Sequence, residues 1–228
     1  YAYGATVLGM MPDFIFNETG LVNKVNGFFP DTPKLVYFKN EKSPTKIYQD
    51  HNKLENELFN KWGEKGRVKE FRDDENKVIN FIQNLYKEAR APSTDLAKEI
   101  LGDELTNLWI SGSAKDLLDT YFTSEKTKLY MGMTVTESGP ASIYEPGTAF
   151  TIPLMDSGSI YNGYWGFVKK GIWKITESLT KLNNDLGVKF YLGSSINEIN
   201  TESNYISFEK KSKQIKANYD YLIFATDP

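Results

Sequence analysis

The sequence predicts an α/β chain of α+β-like organisation, a mixed sheet combined with a helical domain. Three observations predict it. Between about residues 50 and 130, Leu54, Leu58, Trp62, Val78, Phe81, Ile82 and Leu85 recur at three- and four-residue spacing, with charged residues between them. On either side lie short apolar runs at strand spacing, bounded by Gly, Pro, Asn and Ser. After residue 164 the order becomes helix, strand, hairpin, strand, which is the order of an α/β unit.

The elements follow in order. Residues 12–20 form a short helix stopped by Gly20. Residues 34–38 read as a strand, Asn40 to Pro44 as a turn, and residues 45–49 as its hairpin partner. Gly63 and Gly66 separate the first long helix from the second, and Pro92 and Ser93 mark another break. Ser113 is expected to cap the helix carrying Leu117, Leu118, Tyr121 and Phe122, with Asp116 at the third helical position. Residues 134–163, punctuated by glycine and proline, read as an irregular loop and a candidate pocket wall. Ile172, Ile175, Leu179, Leu182 and Leu186 share one helical face that Gly187 ends. Val188, Phe190 and Leu192 alternate as a strand, and Ile196 and Ile199 follow. Residues 205–208 and 214–217 form a hairpin. Tyr221, Leu222, Ile223 and Phe224 then read as a strand buried on both faces, running into a Thr-Asp-Pro turn. The first residue is Tyr1 and the last lies just past this strand, so the chain reads as an internal piece of a larger protein.

Bulk composition narrows the function classes. The 228 residues carry 27 basic and 30 acidic side chains, too balanced for nucleic acid as a main partner. There is no cysteine and one histidine, His51, which argues against thiol chemistry, iron–sulfur clusters, histidine triads and a metal site. No apolar run approaches the length of a membrane span, and an intracellular location is expected; peripheral membrane contact stays open. Aromatic residues make up 14 % of the chain, enough to line an apolar pocket as well as fill a core.

Motifs add little chemistry by themselves. Neither GxGxxG nor a P-loop is present, and Gly63-x-x-Gly66 reads as a helix break. The segment Gly163 to Trp173 interleaves three glycines with Tyr164, Trp165 and Phe167 before an amphipathic helix. Such a start lets a ligand approach the backbone and favours anionic groups, although a domain crossover with packed aromatics explains the same residues. The acid runs Asp73-Asp74-Glu75 and Asp103-Glu104 read as exposed first-turn carboxylates that complement the helix dipole. His51, in a polar run, reads as a surface or hinge residue.

Taken together, the run from Gly163 to Leu182, the segment Gly187 to Ile199 and the segment Tyr219 to Pro228 resemble the phytoene desaturase-like flavoproteins. These are grouped with the amine oxidases among FAD-dependent oxidoreductases. Within them, the likeness is to the subgroup named for a pyridine nucleotide-disulfide oxidoreductase domain. It is strongest over residues 115–228.

The resemblance implies part of a FAD/NAD(P)-binding flavoprotein fold, with residues 1–165 a substrate domain and residues 166–228 a partial FAD-binding domain. It implies FAD as cofactor and a small apolar or amine-like substrate, oxidised by hydride transfer to the flavin. A flavin-dependent isomerase and a non-catalytic interaction protein of the same fold remain alternatives. A cytoplasmic location, or by analogy a mitochondrial one, follows. Carried over residue by residue, Ile196 matches a strand position whose backbone meets adenine. Ala225, Thr226 and Asp227 match the turn beside the dinucleotide, and Gly171 the retained glycine of the glycine-rich turn. Lys170 and Trp173 stand where the family commonly has glycine, and the amino-terminal GxGxxG unit is absent. FAD binding is therefore expected of the parent protein, and weakly or not at all of these residues alone. No catalytic residue is implied.

Overall fold

Capping residues and glycines divide the chain much as their chemistry dictates. In the computed structural model, residues 7–137, 141–158 and 165–225 are described. They fall into two units, Tyr1–Leu179 and Thr180–Pro228.

The first unit opens with α1 (Asp13–Glu18), after which Gly20 turns the chain at φ 74°. β1 (Gly27–Phe28) precedes the expected hairpin, β2 (Lys34–Val36) paired antiparallel with β3 (Thr45–Ile47). α2 (His51–Trp62) begins where the Asp50 carboxylate accepts from the Lys53 N–H at 2.9 Å. It ends at Gly63, left-handed at φ 68°, so Gly63 does break the helix. α3 (Val68–Lys87) is the longest element. α4 (Thr94–Leu101) is capped by Ser93, and α5 (Asp103–Leu105) leads into a π-turn, Thr106–Ile110. α6 (Ala114–Tyr121) starts at Ser113, whose hydroxyl accepts from the Asp116 N–H at 3.1 Å, as the sequence predicts.

The stretch expected to be an irregular loop is more ordered than that. α7 (Glu125–Glu137) covers its first residues. A 3-10 turn, Thr148–Phe150, leads into α8 (Thr151–Met155). Pro153 sits in the first turn of α8, where its missing N–H would have had no helical partner, so it does not prevent the helix. Tyr161 and Gly163 lie outside the described residues. β4 (Phe167–Val168) pairs antiparallel with β1, so a short strand interrupts the glycine-rich approach to α9 (Lys174–Asp185).

The core of this unit is helical. Phe71 and Trp109 are buried, with Phe71 ring centroids 5.0 Å from Trp109 and 4.8 Å from Phe122. Such aromatic pairs add about 0.5–1.5 kcal/mol each beyond burial. Two interhelical junctions are tied together beside this cluster. Glu64, buried between α2 and α3, accepts from the N–H groups of Gly66 (2.7 Å), Thr123 (2.8 Å) and Ser124 (3.1 Å). The Thr123 hydroxyl adds a fourth bond at 2.9 Å. Gly66 is required by close approach: a Cβ there would lie 2.1 Å from the Tyr121 carbonyl oxygen. Arg67 N–H meets that same carbonyl at 2.7 Å.

The second unit holds an antiparallel sheet of β5 (Ser195–Asn200), β6 (Tyr205–Lys210) and β7 (Lys213–Asn218), in that order. β6 and β7 are the expected hairpin, joined through Lys211 and Ser212 at φ 49° and 58°. Two positive φ values in a two-residue loop match the twist of the strands it joins.

Two strands expected from the sequence are not formed. Residues 188–194, including Val188, Phe190 and Leu192, pair with no strand, and neither do Tyr221 to Phe224. Tyr221 is 91 % and Ile223 88 % exposed. A strand buried on both faces needs a neighbour on each side and layers above and below. The described residues supply none of these. Every strand pair among them is antiparallel, so the doubly covered sheet is not present and no FAD-binding fold is seen in them.

Candidate functional site

The apolar stripe of α3 carries one residue of the wrong kind. Val68, Phe71, Val78, Ile82 and Leu85 follow alternating three- and four-residue steps and are buried. The position between Phe71 and Val78 in that rhythm is Glu75, only 2 % exposed. The sequence reading placed Glu75 among exposed first-turn acids, but α3 begins at Val68, so Glu75 falls in the second turn on the inward face. Arg72, one helical step earlier on the same face, pairs through Nη1 with Glu75 Oε2. The same nitrogen lies 3.8 Å from Asp156 Oδ2, just past α8.

These three groups border a cavity of about 450 Å³. β2 and the following Tyr37 form one side, and α7 contributes Tyr130, Met133 and Glu137. Met155 and Trp165 complete a wall of thioethers and rings. The Lys34 ammonium stands 4.9 Å from the Trp165 ring centroid, and the indole N–H donates to the Met155 carbonyl at 3.2 Å. The cavity thus combines an apolar, deformable wall with a charged floor, the usual composition of a small-molecule pocket.

The floor is electrostatically uneven. Arg72 is held above its ordinary value: burial opposes its charge, but Glu75 and Asp156 outweigh burial. The Asp156 carboxyl is pushed up to about 7, first by burial and then by the negative charge of Glu75, against the pull of Arg72 and Lys34. Its side chain keeps 31 % of its surface and lies in the lining of the cavity. Burial also raises the Tyr130 phenol. Glu75 Oε1 has no hydrogen-bond partner among the described residues. Fully buried carboxylate oxygens are normally satisfied, so this atom is an exception that needs a donor.

The residues carried over from the flavoprotein resemblance sit elsewhere. Gly171 lies in the turn between β4 and α9 at φ 101°, its N–H bonded to the Val168 carbonyl at 2.9 Å. A Cβ on it would come within 2.8 Å of the Trp173 ring. Beside it, Lys24, Lys169, Lys170 and Lys174 surround a shallow basic recess. Ile196 is on β5, an edge strand of the second unit, opposite Phe208 and half-exposed. Ala225 is exposed beyond the last strand, and Thr226 and Asp227 lie outside the described residues. Gly171 belongs to the first unit, Ile196 and Ala225 to the second. None of these three lines the 450 Å³ cavity or the recess.

Among the described residues, no cluster of His, Asp and Glu is arranged to hold a metal ion, and no helix is long and apolar enough to cross a membrane. Compared with protein-family models and with curated proteins, the chain matches none.

Proposed function

We propose that the first unit is the substrate-binding part of a FAD-dependent oxidoreductase of the phytoene desaturase-like and amine oxidase-like kind. Its ligand is a small apolar or amine-like molecule, held in the cavity between β2, α3, α7 and α8. The observation that supports this reading is the cavity itself: about 450 Å³, walled by Met133, Met155 and Trp165, with a buried ion cluster at its floor. In such an enzyme the flavin supplies the redox chemistry, while the residues named here orient the substrate and exclude water. The pyrophosphate-binding GxGxxG is not among the 228 residues and would have to come from elsewhere in the natural protein.

The test is the visible spectrum of the purified natural protein. Flavin absorbance near about 450 nm, bleached anaerobically by substrate, is expected. A colourless protein that takes up no added FAD would sink the proposal. A second reading, a non-catalytic binding module, draws on the placement of Gly171 and Ile196 in different units. That reading is the one left standing if the flavin is absent.

A further inference from the structure

Four lysines share one small hollow. The recess beside the β4–α9 turn has a volume of about 370 Å³ and is lined by Lys24, Lys169, Lys170 and Lys174. Among its described lining residues Glu177 is the one carboxylate, and it is paired with Lys174. Lys24, Lys169 and Lys170 have no ion-pair partner among the described residues. A chain whose overall charge is −3 has thus gathered a local surplus of positive charge. Ser178 adds a neutral hydroxyl to the lining.

The backbone is bent so that these charges meet. The Lys169 N–H donates to the Asn26 carbonyl at 2.8 Å, which continues the pairing of β1 with β4. Neighbouring side chains of an extended strand point to opposite faces. Lys170 escapes that alternation by turning into the left-handed region at φ 71°, an uncommon conformation for a residue with a Cβ, and Gly171 follows at φ 101°. Two consecutive lysines therefore border the same recess. Lys24 joins them from the end of the Leu21–Asn23 turn, and Lys174 is the first residue of α9. Like charges collected in this way repel one another, so an anion that enters relieves a cost already present.

We infer that this recess binds a phosphate dianion, either free phosphate or a phosphate monoester. Such a group carries a charge of about −1.5 to −2 at neutral pH and three strong acceptor oxygens. Each ammonium offers three N–H donors on a flexible stem, which suits a tetrahedral group approached from several sides. A carboxylate brings one charge and two oxygens in a plane, and a phosphodiester also brings one charge, so each leaves more of the surplus uncompensated. None of the four lysines lines the 450 Å³ cavity, so the site is independent of the redox reading. Dissolved phosphate compounds and the head group of phosphatidic acid share this chemistry.

The test uses the full chain in two arms. In the first, inorganic phosphate, glycerol 3-phosphate and acetate are titrated at equal ionic strength and slightly alkaline pH, and the amide resonances of Lys170 and Gly171 are followed by NMR. In the second, flotation is measured with phosphatidylcholine vesicles carrying phosphatidic acid or, at matched charge, phosphatidylserine. The phosphate group should bind about tenfold or more tightly than acetate, or the phosphatidic acid vesicles should be preferred by a similar factor. Lys169→Gln combined with Lys170→Gln should weaken that binding about tenfold or more. Lys42→Gln combined with Lys87→Gln removes the same charge from exposed positions that do not line the recess, and should change it by less than about twofold. Circular dichroism of both pairs confirms that they fold. Binding of the soluble probes without flotation assigns the site to a dissolved phosphate compound. Flotation selective for phosphatidic acid and lost in the Lys169 and Lys170 pair assigns it to a lipid head group. No binding in either arm, acetate bound as tightly as phosphate without selective flotation, or equal weakening by the two pairs overturns the inference.

Discussion

Glu64→Ala should be among the most damaging single changes in the chain. The Glu64 carboxylate accepts four hydrogen bonds, from the N–H groups of Gly66, Thr123 and Ser124 and from the Thr123 hydroxyl. The residue is 3 % exposed, so water does not replace it easily. Alanine strands three backbone donors. At about 1–3 kcal/mol for each unsatisfied buried group, with partial relaxation, the loss is about 3–6 kcal/mol. Glu64→Gln keeps an acceptor for Gly66 and Thr123 but turns an amide toward the Ser124 N–H. It should cost about 1–3 kcal/mol, one stranded donor's worth. Urea denaturation of the two variants, followed by circular dichroism, reads both numbers at unchanged m-value. If both fall within about 0.5 kcal/mol of wild type, the four-bond tie is not holding the junction. pH supplies a second reading. Burial alone would raise the Glu64 carboxyl, but the N–H groups of Thr123, Gly66 and Ser124 together hold it below its ordinary value of 4.5. Its contribution is therefore complete above that value and is lost as pH falls through the lower folded-state value. Glu64→Gln should flatten this acid limb.

Gly66→Ala places a methyl group 2.1 Å from the Tyr121 carbonyl oxygen and should cost about 1–3 kcal/mol by thermal denaturation. Tyr121→Phe removes the hydroxyl that accepts from Trp109 Nε1 at 3.3 Å and donates to Asp74 at 2.7 Å. It should cost about 1–3 kcal/mol, and a cycle with Trp109→Phe should recover part of that loss. Asp156 has a folded-state value raised from 3.8 to about 7, so it binds protons that the unfolded chain has released. Its contribution to stability is present at acid pH and is lost as pH rises through that interval, and Asp156→Asn should remove this slope. A pH–stability profile of that variant still falling between those values would show that other groups produce it.

Helical rhythm and caps made much of the first unit legible. Leu54, Leu58 and Trp62 face inward as their spacing says, and Asp50, Ser93 and Ser113 start helices because each offers an oxygen to an unpaired N–H. The hairpin of β6 and β7 was legible from alternation. Tyr221 to Phe224 misled, because an apolar run states only that burial would be favourable; it does not supply the strands that would bury it. α8 was hidden by Pro153, which counts as a breaker only when its position in the helix is unknown. The site was hidden for a different reason. Glu75 looked like one of three adjacent acids, although its place in the step pattern running from Val68 to Leu85 marked it as inward-facing. Asp156 gave no local signal at all, since its proximity to Arg72 depends on the packing of α8 against α3.

The tie at Glu64 also fixes where two walls of the cavity begin. α3 leaves the joint just after Gly66 and α7 just after Ser124, so two of its walls start from one pivot like the legs of a pair of compasses. Arg72 lies in the second turn of α3, whereas Met133 lies in the third turn of α7 and Glu137 at its end. The joint therefore steadies the Arg72 side of the cavity more directly than the side formed by Met133 and Glu137.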